Sequence, residues 1–272
     1  MASKEELFSG AITVIGGGMM GEAIVRGWLT SGLVSASQVT IVEPSEVRRS
    51  MLEDLGVSLA AAIEDIDPIT GIVMLAVKPQ IIEPVVQSAS ARLGGALIVS
   101  IAVGISSARL ESMLPTGTAV VRVMPNTPAM VGEGMAVISG GAEANPDQIE
   151  LVRALFAGIG DAIVLDERYQ NAAAAISGSG PAYFALVVDS LARAGVAAGL
   201  TRVVAQQLAT QTMLGTARML QETGMHPEVL VDGVTSPGGT TIAALGRLEA
   251  AGLRAAFNDA VKAAVHRSEE LG

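Results

Sequence analysis

The sequence predicts an α/β fold: a doubly wound, mostly parallel sheet over residues 1–166, followed by an all-α region over residues 167–272. Two observations carry this. Short β-branched runs alternate with helical periodicity through the first part, as βαβ units do. The strand signal then stops at Asp166, and helical segments follow one another with glycine, proline or hydroxyl residues at their breaks.

In chain order, Ala11 to Ile15 reads as the first strand, Met20 to Gly32 as a helix and Val39 to Val42 as the second strand. Ile72 to Val77 is a continuous apolar run between Gly71 and Lys78-Pro79, the pattern of a central parallel strand covered on both faces. Further strands are expected at Ala96 to Ile101, Ala119 to Met124, Met135 to Ser139 and Ala162 to Leu165, with helices at Ser106 to Leu114 and Asp147 to Gly158. The helical region comprises Ala172 to Ile176, Pro181 to Ala198, Arg202 to Glu222, Thr241 to Ala251 and Arg254 to Leu271. Arg202 to Glu222 is apolar or small on most faces, which predicts a helix buried on several sides.

Half of the 272 residues are hydrophobic and only 16% are charged, so a large helical surface is expected to be covered by another copy of the chain. A net charge of −10 without a basic run argues against nucleic acid and against an anionic membrane surface. Aromatic residues, at 3%, are too few for base-stacking platforms. With no cysteine, the chain has no disulfides, thiolate metal ligands or cysteine nucleophile. Its two histidines, His226 and His266, are too few for a histidine-rich metal centre, and both read as surface residues. Met1 to Gly10 is polar and unlike a signal peptide. The uncharged stretches Leu93 to Ala108 and Asn171 to Val188 are shorter than the roughly 20 residues of a membrane span. They read as interior segments of a cytoplasmic protein.

Gly16-Gly17-Gly18-Met19-Met20-Gly21 satisfies G-x-G-x-x-G between a strand and a helix, and Glu43 closes the second strand. This is the Rossmann-like dinucleotide signature: a tight turn, close approach of backbone to pyrophosphate, and close helix–strand packing. Glu43 can accept from the adenosine ribose, which favours NADH. Ser45, Arg48 and Arg49 can instead hold the 2′-phosphate of NADPH, or the arginines belong to a solvated helix face, so both cofactors remain open. Lys78, in Ala76-Val77-Lys78-Pro79, stands at the carboxyl end of a strand, where ligands of open α/β sheets bind. Met124 to Ala129 combines two prolines with Asn126, which displays a side-chain amide at a strand end unless it forms an Asx-type turn. Ser177 to Pro181 reads as a helix break capped by Ser179, with Pro181 in the next first turn.

Val234 to Thr241 has the composition of an anion trap. Its glycines let backbone N–H groups converge, its hydroxyls add donors, and the apolar-periodic run that follows supplies a helix with a positive N-terminal end. A plain helix cap by Thr240 or Thr241 is the alternative.

Taken together, Gly16 to Gly21, Leu75 to Pro79, Met124 to Ala129, Ser177 to Tyr183 and Val234 to Thr241 closely resemble pyrroline-5-carboxylate reductases over almost the whole chain. The resemblance implies a Rossmann domain joined to a helical dimerisation domain that interlaces with its partner, with dimers assembling into rings such as decamers. It implies NADPH or NADH as cofactor, held by Gly16, Gly18, Met19, Met20, Gly21, Glu43, Ser45, Ala76, Val77, Lys78, Pro79, Asn126 and Thr127. The small-molecule substrate, pyrroline-5-carboxylate, would bind Ser236, Gly238, Gly239, Thr240 and Thr241. Ser236 and the backbone amides would hold its carboxylate, with the Thr241 hydroxyl facing the ring nitrogen. Two departures touch the cofactor: Met19 stands where the family commonly has asparagine, and Ile63 where some relatives offer a polar contact.

The implied reaction moves a hydride to the imine carbon of a five-membered ring, the last step of proline biosynthesis. A cyclic imine can be protonated before attack, so orientation and a polar partner for nitrogen are the main requirements, and no catalytic histidine is needed. A β-hydroxyacid dehydrogenase of similar plan would need a lysine early in the second domain, yet none occurs between Lys78 and Lys262. A cofactor-sensing module without turnover would not need the intact substrate loop. Reduction of a related cyclic imine fits the same residues.

Overall fold

The computed structural model describes residues 10–66 and 71–271. The polar N-terminal stretch, apart from Gly10, lies outside them. The first strand, β1 (Ile12–Ile15), leads into α1 (Met19–Ser31), then β2 (Val39–Val42), α2 (Glu46–Leu52), β3 (Ser58–Ala60) and β4 (Ile72–Leu75). There follow α3 (Ile82–Ala89), β5 (Leu97–Ser100), α4 (Ser107–Met113), β6 (Val120–Met124), β7 (Gly134–Gly140), α5 (Pro146–Ala157) and β8 (Gly160–Val164). The strands form one sheet in the order β3-β2-β1-β4-β5-β6-β7-β8, parallel throughout except for the antiparallel β6–β7 pair. The order reverses at β1, with β2 on one side and β4 on the other, which makes its carboxyl end a topological switch point.

β1, β4, β5 and β6 are buried along their whole length, so both faces of the sheet are covered. One face carries a core built around Trp28, Ile24, Phe156 and Val121; the other carries Val73, Leu75, Val86, Leu93 and Leu110. Trp28 meets Phe156 edge to face at 5.7 Å, and its indole N–H donates to the Leu155 carbonyl at 2.9 Å, so the ring is buried with its polar atom satisfied.

After β8 the chain forms a short helix, α6 (Gln170–Ala173), a π-helical turn at Ala174–Gly178, then α7 (Gly180–Ala197), α8 (Arg202–Thr223), α9 (Pro227–Gly233), α10 (Thr240–Ala250) and α11 (Leu253–Leu271). The chain divides into two compact units, Met1–Ser179 with Ala264–Gly272, and Gly180–Ala263. Ser268, in the returning C-terminal segment, is buried and donates to Asn171 Oδ1 at 2.9 Å.

Several local expectations are corrected. Ser177 to Pro181 is not a capped helix break: the backbone stays helical through a widened turn, Ser179 is itself in the right-handed helical region, and its N–H donates to the Ala174 carbonyl at 3.0 Å. The short strand β3 and the helix α9, which begins at Pro227 with His226 as its N-cap, carry too few periodic residues to stand out in the sequence. α8 is not buried on several sides within one chain; of its residues only Ala205 and Ala209 are buried, while Val203 is 77% exposed and Leu208 55%. Asn171 to Val188 is likewise not interior, since Ile176, Phe184 and Leu186 are exposed. Among the described residues, no helix is long and apolar enough to cross a membrane.

Candidate active site

At the switch point the glycine turn behaves as its spacing requires. Gly16 has φ +109°, and a Cβ there would stand 2.6 Å from the Ala76 carbonyl oxygen. At Gly21 a Cβ would meet the Gly16 carbonyl oxygen at 2.5 Å, so this glycine seats α1 on the turn. By contrast, the space beside Gly18, where a Cβ would project, is open for 4 Å. Gly18 is also the N-cap of α1 and makes no side-chain cap, so the helix start faces that space with its first amides. Open backbone at the middle glycine and closed backbone at the outer two is the geometry that admits a diphosphate.

A groove of about 530 Å³ runs from this turn. Gly16, Gly18, Glu43, Ala76, Val77 and Lys78 all line it, as does Ile63. Glu43 follows β2 and is fixed by two backbone donors: its Oε2 accepts from the Gly17 N–H and its Oε1 from the Ser45 N–H, each at 2.9 Å. Ser45 caps α2, its Oγ accepting from the Arg48 N–H. The two arginines neither line this groove nor form a solvated face. Arg48 donates from Nε and Nη2 to the Gly17 carbonyl at 3.0 and 2.6 Å, and from Nη2 to Glu22 at 2.8 Å. Arg49 donates to the carbonyls of Glu43 and Pro44 at 2.7 and 2.8 Å. The Arg48 and Arg26 guanidiniums hold the Glu22 carboxyl below its usual range. Nothing in the residue pattern foretold Arg48 as the brace of the glycine turn, because its partners lie 26 and 31 residues away.

Met20, Asn126 and Thr127 line a second cavity of about 400 Å³, together with Val103, Met124, Ser179 and Ser268. Asn126 does not display its amide: its Nδ2 donates to the Ser177 carbonyl at 3.0 Å and its Oδ1 accepts from the Met135 N–H at 2.8 Å. The buried side chain is a clamp that ties the end of β6 to β7 and to the π-helical turn. Met19 is 72% exposed at the start of α1, and Pro79 borders a separate depression with Ile82, Ile105 and Arg109.

Ser236, Gly238, Gly239, Thr240 and Thr241 lie together in the other unit. The N-cap of α10 is Gly239, without a side-chain cap, so neither Thr240 nor Thr241 caps this helix. The Gly239 N–H is taken by the Ser236 carbonyl at 3.0 Å, and Gly238 has φ +68°, the left-handed conformation that lets the turn close. The first two amides of α10 and the hydroxyls of Ser236, Thr240 and Thr241 have no acceptor among the described residues. This is a donor-rich turn suited to a carboxylate.

A further group escaped sequence reasoning. Buried Arg122 donates to Glu167 Oε1 at 2.5 Å, and Glu167 also accepts from the Ser107 N–H at 2.7 Å and the Ser107 hydroxyl at 2.5 Å. Burial alone would raise the Glu167 pKa, but the bonds from Arg122 and Ser107 outweigh it and hold the carboxyl below its usual range.

A doubly wound sheet, an open glycine turn at its switch point and a groove lined by a strand-end lysine define a dinucleotide-binding protein. Comparison with known proteins narrows the class. Residues 167–271 match the family model described as pyrroline-5-carboxylate reductase dimerisation, and residues 11–104 that described as NADP oxidoreductase, coenzyme F420-dependent. A pyrroline-5-carboxylate reductase of Synechocystis is 41% identical, covering 95% of this chain and 97% of its own. The solved structure of one from Coxiella burnetii is 35% identical with a TM-score of 0.90, over 97% of this chain and 99% of that one. The Plasmodium falciparum pyrroline carboxylate reductase solved with NADP bound is 30% identical, with a TM-score of 0.88 over 96% and 98%. This chain belongs to the pyrroline-5-carboxylate reductase family, and it is an oxidoreductase that uses NAD(P)H.

Proposed function

We propose that the chain reduces 1-pyrroline-5-carboxylate to L-proline, with the Val234 to Thr241 loop as the substrate's carboxylate site and the groove at Gly16 to Gly21 as the cofactor's. The observation that carries this is the donor set at the start of α10, in which three hydroxyls and the amides of Thr240 and Thr241 have no acceptor among the described residues. Ser236 and the amides of Thr240 and Thr241 hold the carboxylate. The Gly239 amide, spent on Ser236, fixes the turn rather than the ligand. The nicotinamide, when bound, supplies the hydride to the imine carbon. Thr241 orients the ring nitrogen and relays its proton through water, and the hydroxyl's high pKa suits it to that rather than to strong acid catalysis. Gly18 and the first amides of α1 hold the diphosphate, Glu43 and Ser45 flank the adenosine ribose, and Ala76 to Lys78 with Met19, Met20, Asn126 and Thr127 border the remainder. Asn126 acts there by holding the wall in place, while Pro79, which borders the separate depression, stiffens the strand end behind Lys78.

The functional division falls at Glu167, with residues 167–272 as the dimerisation domain. The apolar residues exposed on α7 and α8, Phe184, Leu186, Val203 and Leu208, support a homodimer in which a second copy covers them, and dimers assemble further into a ring. A cytoplasmic location belongs to the same proposal.

A spectrophotometric assay of NADH and NADPH oxidation with pyrroline-5-carboxylate tests the reading. Turnover is expected, and Thr241→Ala should lower kcat by about 10- to 100-fold, the usual span for a positioned proton-transfer group. Cofactor binding without turnover of this imine would overturn the substrate assignment, and an unchanged rate in Thr241→Ala would remove that residue from the mechanism.

A further inference from the structure

We propose that the depression bordered by Pro79 binds a free aliphatic amino acid as its zwitterion, and that its occupancy changes cofactor affinity in the neighbouring groove. The second half rests on reading the groove at Gly16 to Gly21 as the cofactor site; the first half does not.

The depression holds about 300 Å³, the lower end of the range for small-molecule sites. Its lining divides into an apolar floor and a charged rim. Buried Ile82 and Ile105, with half-buried Met113, form the floor, while Glu83 of α3 and Arg109 of α4 stand beside it with more than half of each side chain exposed. These two charges face each other at 3.7 Å, an ion pair too long to be a hydrogen bond. Elsewhere on the sheet domain Arg48, Arg49, Arg92 and Arg122 donate to backbone carbonyls or to a carboxylate. The Arg109 guanidinium makes no hydrogen bond among the described residues, so its donors are open to a ligand. Glu83 Oε2, which faces it, has no donor among them either, and Oε1 takes the Gln87 amide at 3.4 Å. Glu270, the third charged residue of the lining, is already held by Arg267 at 2.7 Å.

That combination selects a ligand class. A lone anion would gain Arg109 but meet two carboxylates, and a lone cation would be repelled by Arg109. An α-amino acid carries both charges a few ångströms apart: its carboxylate accepts from the guanidinium, and its ammonium donates to Glu83. The side chain then falls on Ile82, Ile105 and Met113, where an aliphatic group gains by leaving water.

Position supplies the coupling. Pro79–Ile81 is one tight helical turn that runs into α3, and this stretch serves both cavities. Pro79, Gln80 and Ile82 line the depression, whereas Lys78, Ile81 and Val85 line the groove. A ligand that packs on Ile82 and draws Glu83 to its ammonium fixes a wall that the groove shares. Each ligand then changes the affinity of the other by the same factor.

Calorimetric titration of the purified full chain with L-leucine, at neutral pH and without cofactor, tests the site. Saturable binding with a Kd of about 1 mM or tighter is expected. Leucinamide lacks the carboxylate and isocaproate lacks the ammonium, and each should bind at least about 10-fold more weakly. Leucine should lose a similar factor in Arg109→Met and in Glu83→Gln, changes at exposed side chains that leave the fold intact by circular dichroism. Saturating leucine should shift the NADPH dissociation constant by about 5-fold or more, and NADPH should shift that of leucine equally. No saturable leucine binding, or equal binding of leucinamide or isocaproate, overturns the site. So does leucine binding that is unchanged in both variants; if it is lost instead in Ser236→Ala, the amino acid sits in the loop before α10. A leucine site without any shift in cofactor affinity overturns the coupling. Failure of both NADPH and NADH to bind overturns the reading of the groove and the coupling with it, while the leucine titration still decides the depression.

Discussion

Substituting Glu167 by alanine leaves the Arg122 guanidinium, on a side chain only 8% exposed, without the carboxylate that neutralises it. The same change removes the acceptor of the Ser107 N–H and hydroxyl. Breaking a buried ion pair by removing one partner costs about 3–5 kcal/mol, because the remaining charge is uncompensated. The Glu167 side chain is itself 28% exposed, so water can reach part of the vacated space, and the expected loss is discounted to about 2–4 kcal/mol. For a folding unit of this size each kcal/mol moves Tm by roughly 2–4 °C, so the midpoint should fall by about 4–16 °C. Urea unfolding followed by circular dichroism measures the same quantity through the midpoint at constant slope. The double variant Arg122→Met, Glu167→Leu should recover most of the loss, since a packed apolar pair needs no mutual neutralisation. A loss below about 1 kcal/mol in Glu167→Ala would place the pair with ordinary surface salt bridges and refute the reasoning. So would a double variant that is simply the sum of its single changes.

The same carboxylate sets an acid limit. Its folded-state pKa lies below the usual 4.5, so its contribution is fully present above that value and is lost as the pH falls through the folded pKa. Unfolding midpoints should therefore drop below about pH 4.5, and Glu167→Gln should flatten that drop, as a pH series of thermal melts would register. In the glycine turn, Gly18→Ala should keep wild-type stability because nothing lies within 4 Å of the new methyl, yet weaken NADH binding by more than about 10-fold, whereas Gly21→Ala should cost about 1–3 kcal/mol in thermal unfolding. Equal stability of the two variants would contradict the packing read from the turn. On the helical unit, Leu208→Asp should convert the assembly to smaller species by light scattering, since it places a charge on the exposed apolar face of α8; an unchanged mass would exclude that face as the interface.

Local and nearest-neighbour patterns were legible. The alternation of strands and helices, the glycine turn and the donor-rich loop before α10 each depend on residues within a few positions of one another, and each is found where the residues place it. Three-residue β3 and seven-residue α9 were not legible, because neither is long enough to establish a period. The roles of polar side chains failed for a different reason. Asn126 reads as a displayed amide until its partner Ser177, 51 residues away, is in place. Arg48 reads as a phosphate ligand until Gly17 claims it from 31 residues away, and Arg122 meets Glu167 across 45.

By itself, then, the sequence determined the fold class, the glycine turn, the donor-rich loop before α10 and the family, because these are written in short-range periodicity and in residues whose backbone conformations few others can adopt. Only the tertiary structure decided which polar groups face a ligand and which are consumed in holding the walls. That choice depends on the few donors and acceptors that folding brings within about 3 Å, and a hydrogen bond, unlike a helical face, leaves no period in the chain.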